Sequence, residues 1–166
     1  MRRLLAFIAV FAASLLFAAP AALATSPHFI RAAGSLNGNG SLTVSFKEAG
    51  LGTNQNIAYT LSADASVTYV CVNKGGANPS ASNKTTLAGP VSASGTFSSG
   101  KNGQVTASLT VYPPSAGDFT CPPGQSLQIA EVSYTNVLLT DTTNGISIAV
   151  DDAISGCLLP RVRGAC

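Results

Sequence analysis

Tryptophan is absent from this 166-residue chain, histidine and methionine occur once each, and only 10% of residues carry a charge. Each shortage removes a class of function. With His28 alone, no pair of imidazoles is available to hold a catalytic metal, and any Ser-His-Asp or Cys-His hydrolase would have to be built on that one residue. No G-x-S-x-G elbow occurs anywhere in the chain. No basic run exists to follow a phosphate backbone, so nucleic acid is not an expected partner. No C-x-x-C pair occurs, which argues against a zinc site. Without Trp, stacking of sugars on large aromatic faces falls to a few Tyr and Phe.

The first residues read as an export signal. Arg2 and Arg3 precede an apolar run from Leu4 to Ala19, and Ala22-Leu23-Ala24 supplies small residues at a cleavage site. The expectation is a signal peptide over 1–24, a secreted product, and no membrane insertion after cleavage. The remaining 142 residues suffice for one domain with a real core. Both Arg2 and Arg3 leave with the signal, so the formal net charge of +2 falls to neutrality. What is left holds 33 Ser and Thr, so its surface is dressed with hydroxyls rather than charges.

Four cysteines remain, Cys71, Cys121, Cys157 and Cys166. An even count in an exported chain reads as two disulfides. Four cysteines allow three pairings, and Cys71–Cys121 with Cys157–Cys166 is favoured: the first joins a strand to a distant loop, the second closes a short tail.

The dominant period is two. Leu42, Val44 and Phe46 alternate with Thr43, Ser45 and Lys47; Ile57, Tyr59 and Leu61 with Ala58, Thr60 and Ser62; Val105, Ala107, Leu109 and Val111 with Thr106, Ser108 and Thr110. Each is a strand with one buried and one wet face. A further strand covers Val91 to Phe97. Asn37-Gly38-Asn39-Gly40 marks a hairpin turn. Asp64-Ala65 marks a tight turn before a strand over 66–73. The prolines between Tyr112 and Gly124 exclude a central strand there. A phase change between Leu127 and Leu138 places a bulge near Ala130-Glu131. The expected fold is all-β, an immunoglobulin-like antiparallel sandwich of about seven or eight strands over 25–151, followed by a tail over 152–166.

No constellation of catalytic residues stands out. Copper bound at an N-terminal histidine needs a second histidine, and Pro27 has no N–H to offer a metal next to His28. His28 is therefore read as a surface or edge-strand residue. Among the acids Glu48, Asp64, Asp118, Glu131, Asp141, Asp151 and Asp152, those beside loops are Asp118, Asp141, Asp151 and Asp152, and Glu131 falls at the phase change, partly buried. A calcium site at Asp141, Asn144, Asp151 or Asp152 lacks EF-hand spacing and is read as turn carboxylates. The reading is thus non-enzymatic, with no cofactor and no metal. Its role is extracellular binding or structure at a cell surface. Tyr112 and Phe119, flanking the proline-rich loop, are the candidate binding aromatics. Arg161 and Arg163, inside the Cys157–Cys166 loop, suggest a protease inhibitor as an alternative. A carrier with a cleft between the sheets and a hydrolase with an unrecognised carboxylate site are the others. The partner is an unidentified extracellular ligand or protein.

The segment GSLTVSFKEAGLGTNQNIAYTLSADASVTYVCVN, with NGQVTASLTVYPPSAGDFTCPPGQSL and VSYTNVLLTDTTNG, resembles a group of small secreted proteins from actinomycetes. That resemblance implies export and a β-sandwich, and implies no site. The shorter NGQVTASLTV is similar to a strand of the neocarzinostatin-type apoproteins. Those are secreted immunoglobulin-like sandwiches that carry a small molecule in a cleft. This second resemblance implies architecture only, since the cysteine spacing here differs.

Overall fold

The computed structural model describes residues 26–76, 83–150, 153–162 and 165–166. The expected signal peptide lies outside the described residues. So does Arg163.

Among the described residues, eight strands form two antiparallel sheets. They are β1 (His28–Leu36), β2 (Leu42–Ala49), β3 (Asn56–Asn73), β4 (Lys84–Ser98), β5 (Val105–Val111), β6 (Gln125–Asp141), β7 (Ile146–Ala149) and β8 (Ala153–Cys157). One sheet has the order β1-β2-β5. The other has the order β4-β3-β6-β7, with β8 also paired to β6. In immunoglobulin lettering these are A-B-E facing C′-C-F-G. The expected sandwich is thus present.

Period-two patterning explains which face is buried. Leu42, Val44 and Phe46 of β2 meet Ile57, Tyr59, Leu61 and Val67 of β3 and Val132, Tyr134 and Leu139 of β6. Phe46 and Tyr59 lie 4.7 Å apart between ring centres, with Phe97 at 6.0 Å from Phe46. Large side chains thus fill the space between the sheets here. Two tyrosine hydroxyls tie the core to loops: Tyr134 donates to the Gly40 carbonyl at 2.7 Å, and Tyr69 to that of Pro114 at 2.8 Å. Burial pushes the Tyr134 hydroxyl up to about 12.

Both expected disulfides are formed, Cys71–Cys121 and Cys157–Cys166. The proline-rich segment from Tyr112 to Gly124 contains no strand, as expected. The Ala130 bulge is also present, because Thr68 faces Glu131 while Tyr69 faces Ile129.

Three expectations need correction. Asp64-Ala65 is not a turn: β3 runs unbroken through it for 18 residues. Turn-forming residues yield here because both neighbours pair, Asp64 with Pro90 and with Thr135. The strand expected from Val91 begins at Lys84, and Pro90 is tolerated because β4 is an edge strand. The tail starts with a strand, β8, which pairs Ala153–Cys157 with β6.

Beyond β8 the chain folds over the outer face of the larger sheet. The Leu158 amide donates to the Ala130 carbonyl at 2.7 Å. Val70, Val72, Ala130 and Ala165 form a second small core, packed by Leu159 and Val162. The Cys157–Cys166 loop is therefore a strap over an apolar strip.

Candidate functional site

The outer face of the larger sheet changes character along β3. Outward positions carry hydroxyls or acid from Thr60 to Thr68, then valines at Val70 and Val72. The strap covers the valines and leaves the hydroxyl part open. Neighbouring strands continue the pattern, and their side chains bond across the sheet: Thr60 with Ser94 at 2.9 Å, Thr68 with Thr86 at 3.0 Å and Thr140 with Ser147 at 2.9 Å. Cross-strand hydroxyl pairs of this kind hold side-chain directions fixed.

A groove of about 390 Å³ crosses this face, lined by Asp64, Ala65, Ser66, Ala88, Gly89, Ser133 and Thr135. Its floor owes its shape to a second bulge. Ser62 faces Leu138 but Asp64 faces Thr135, so Asn136 and Val137 together oppose Ala63. Asn136 absorbs the extra length with a φ of 52°, a left-handed conformation that costs a non-glycine residue roughly 1 kcal/mol. The bulge turns the amide of Asn136 toward β3, where Nδ2 donates to Asp64 Oδ2 at 2.7 Å. Bulges often re-aim a side chain beside a site. The groove thus offers a carboxylate acceptor fixed by an amide, small hydroxyls that both give and accept hydrogen bonds, and walls with little bulk at Ala88 and Gly89.

The inside of the sandwich holds a second polar group. Glu48, the last inward residue of the Leu42-Val44-Phe46 series, is fully buried, as is Asp141. Tyr59 pairs with Asp141 across β3 and β6, and Glu48 meets them from the opposite sheet. Asp141 is well supplied: it accepts the amides of Thr143 at 2.8 Å and Asn144 at 2.9 Å, and Asn144 Nδ2 at 2.6 Å. Both Glu48 oxygens and the Tyr59 hydroxyl lack a hydrogen bond of ordinary geometry. Burial raises the Glu48 carboxyl to about 7, with the Tyr59 hydroxyl and His28 opposing and Asp141 adding to the rise. Burial also raises Tyr59, far above its ordinary value.

The residues singled out from sequence are scattered. Tyr112 stands exposed, whereas Phe119 is packed against the core. Arg161 is exposed at the corner of a turn closed by the Val162 amide on the Leu159 carbonyl at 3.0 Å. His28 is exposed on β1, its Nδ1 2.8 Å from the Ser26 carbonyl oxygen. Glu131, expected to be partly buried, is exposed because the bulge at Ala130 turns it to solvent. Asp141 is not a solvated turn carboxylate: it is buried and caps the turn that follows it. No group of three or more His, Cys, Asp or Glu among the described residues is placed to hold a metal ion. Sequence reasoning passed over Asp64 as a turn residue, and the signal that finds it is the unbroken alternation from Ile57 to Val67.

No protein-family model matches the chain, and no curated protein sequence matches it. The two disulfides are of the kind typical of extracellular proteins.

Proposed function

We propose that this chain is a secreted, non-enzymatic β-sandwich that binds a neutral, hydroxyl-rich extracellular ligand, a glycan polymer, on the open outer face of its larger sheet. The observation that carries the reading is the Asp64–Asn136 pair at 2.7 Å, set beside a groove that Ser66, Ser133 and Thr135 also line. A sugar hydroxyl is both donor and acceptor. A carboxylate next to serine and threonine hydroxyls answers both halves. An anionic ligand fits less well, since the charged side chain lining the groove is the Asp64 carboxylate.

Export is supported by the N-terminal charged and apolar run, by the two disulfides, and by the resemblance to secreted actinomycete proteins. With no aromatic side chain lining the groove, stacking adds nothing, so single-site affinity is expected to be weak, on the order of 1 mM. A polymer touching the face at several places compensates through effective concentration.

The other readings draw less support. Buried side chains fill the core where a carrier's cleft would lie. Glu48 and Asp141 approach each other, but inside the core and away from substrate. Arg161 lies at a tight turn, whereas a loop that pairs with a protease cleft is extended.

Affinity electrophoresis through gels containing neutral polysaccharides tests the proposal. Retardation by at least one polymer, reduced severalfold in Asp64→Ala and Asn136→Ala, is the expected result. Equal mobility in every gel would overturn it.

A further inference from the structure

Asparagine followed by glycine is open to attack by its own backbone, because glycine has no Cβ to block the approach of its nitrogen to the asparagine side chain. That pair occurs four times in the chain, at Asn37-Gly38, Asn39-Gly40, Asn102-Gly103 and Asn144-Gly145. Each lies between two strands. Attack needs two freedoms: a glycine N–H that is not donated elsewhere, and a side-chain amide that can swing onto it.

Three of the pairs lack one or both. Asn37 is held by its Nδ2, which donates to Ser41 Oγ and to Thr43 Oγ1, each at 2.9 Å. At the second pair the Gly40 amide donates to the Asn37 carbonyl at 2.9 Å, and Asn39 Oδ1 accepts the Ser41 amide at 3.1 Å and its hydroxyl at 2.7 Å. At the last pair the Gly145 amide donates to the Asp141 carbonyl at 2.9 Å, and Asn144 Nδ2 to Asp141 Oδ2 at 2.6 Å.

Asn102-Gly103 differs. It sits in the turn between β4 and β5, and Asn102 is exposed. The turn around it is well anchored. The Gly100 carbonyl accepts the Asn54 amide at 2.7 Å, the Lys101 carbonyl the Thr53 hydroxyl at 3.4 Å, the Gly103 carbonyl the Leu51 amide at 3.1 Å, and the Ser99 carbonyl the Gln104 amide at 2.8 Å. The peptide unit joining Asn102 to Gly103 is left over. Among the described residues, neither its carbonyl nor its N–H has a hydrogen-bond partner, and neither has the Asn102 side chain.

We infer that Asn102 is a site of spontaneous covalent modification, deamidation and isomerisation through a succinimide formed with the Gly103 nitrogen, and that the fold protects the other three Asn-Gly pairs from it.

The reaction consumes water and no other reactant. The Gly103 nitrogen bonds to Asn102 Cγ while its proton passes to solvent. The Cγ–Nδ2 bond breaks, and ammonia leaves with a proton taken back from solvent. Water then adds to either carbonyl of the ring. Opening at Cγ restores the ordinary backbone and leaves an aspartate. Opening at the main-chain carbonyl routes the backbone through Cβ and Cγ and leaves an isoaspartate with a free α-carboxylate. Nothing is oxidised or reduced. Either product places a negative charge next to Lys101. Isoaspartate also lengthens the turn by one carbon just ahead of Gly103, whose carbonyl holds the Leu51 amide.

The test is incubation of the folded protein in mildly alkaline buffer, with peptide mapping by mass spectrometry over time. The mass gain on exchanging an amide for an acid, placed by fragmentation, reports each asparagine separately. The same chain, reduced and unfolded in urea, is the reference, because there all four pairs are unrestrained. A hydrogen bond that must break before attack slows the step severalfold, so with two or more to break, Asn37, Asn39 and Asn144 are expected to convert roughly tenfold or more slowly than Asn102 in the folded protein. In urea the four rates are expected to converge. Conversion of any of those three as fast as Asn102 in the folded protein, or folding that slows Asn102 as much as it slows them, overturns the inference.

Discussion

Asp64 and Asn136 lie 72 residues apart in sequence and 2.7 Å apart in space, amide nitrogen to carboxylate oxygen. The contact exists because Asn136 takes a left-handed backbone, φ 52°, at a bulge. Replacement therefore has two separable effects. Asn136→Gly relieves the backbone and loses the side chain, so stability is expected to stay within about 1 kcal/mol of the parent. Asn136→Val places a β-branched residue in the same conformation and is expected to cost about 2 kcal/mol or more. Urea denaturation of both variants checks the pair.

Two buried tyrosines predict opposite outcomes on loss of a hydroxyl. Tyr134 donates to the Gly40 carbonyl, so Tyr134→Phe leaves that carbonyl unpaired and is expected to cost about 1–3 kcal/mol. The Tyr59 hydroxyl reaches only the Glu48 carboxyl, without a hydrogen bond of ordinary geometry, so Tyr59→Phe is expected to be neutral within about 0.5 kcal/mol, or stabilising. Thermal denaturation of the two variants side by side distinguishes them.

The alternation of Leu42, Val44 and Phe46 carried the core of β2 in plain view, and the same rule places Glu48 inward. An acid at the end of an apolar series is easily assigned to solvent, yet the structure keeps it inside. Asp64-Ala65 misled for a related reason: local turn preference is weaker than pairing on both sides of a central strand. Tyr69-Val70-Cys71-Val72 is apolar on both faces, which signals that something covers the outer one. The cover is the tail, nearly 90 residues away, and no local pattern names it. The Asn136 bulge was equally hidden, because it depends on the register that β6 takes against β3.

The strap and the loop disulfide differ in the length of chain they close, 9 and 50 residues. Chain-entropy arguments give about 3 kcal/mol for the shorter and about 4 kcal/mol for the longer. Replacing Cys157 and Cys166 with Ser is expected to lower stability and also to uncover Val70, Val72 and Ala130. Replacing Cys71 and Cys121 is expected to lower it more. Denaturation midpoints rank the two, and binding of a hydrophobic dye is expected to rise for the tail variant alone.

Stability depends on pH through Glu48. Its folded value, about 7, lies above the unfolded one, so the folded chain binds the extra proton between them. Stability from this group is full below the unfolded value, falls as pH rises to about 7 and is level above it. The contribution is on the order of 3 kcal/mol. Urea midpoints measured from pH 4 to pH 8 are expected to fall through that window, and to lose this component in Glu48→Gln.

Glycan recognition by the open hydroxyl face is the central claim, and an amide-resolved NMR titration with a neutral soluble polysaccharide tests it most directly. The account predicts shift changes confined to Asp64, Ser66, Ser133, Thr135 and Asn136 and their neighbours on that face, lost in Asp64→Ala while the rest of the spectrum is unchanged. Shifts centred instead on Tyr112 and the proline-rich loop, or none with any neutral glycan, would contradict it.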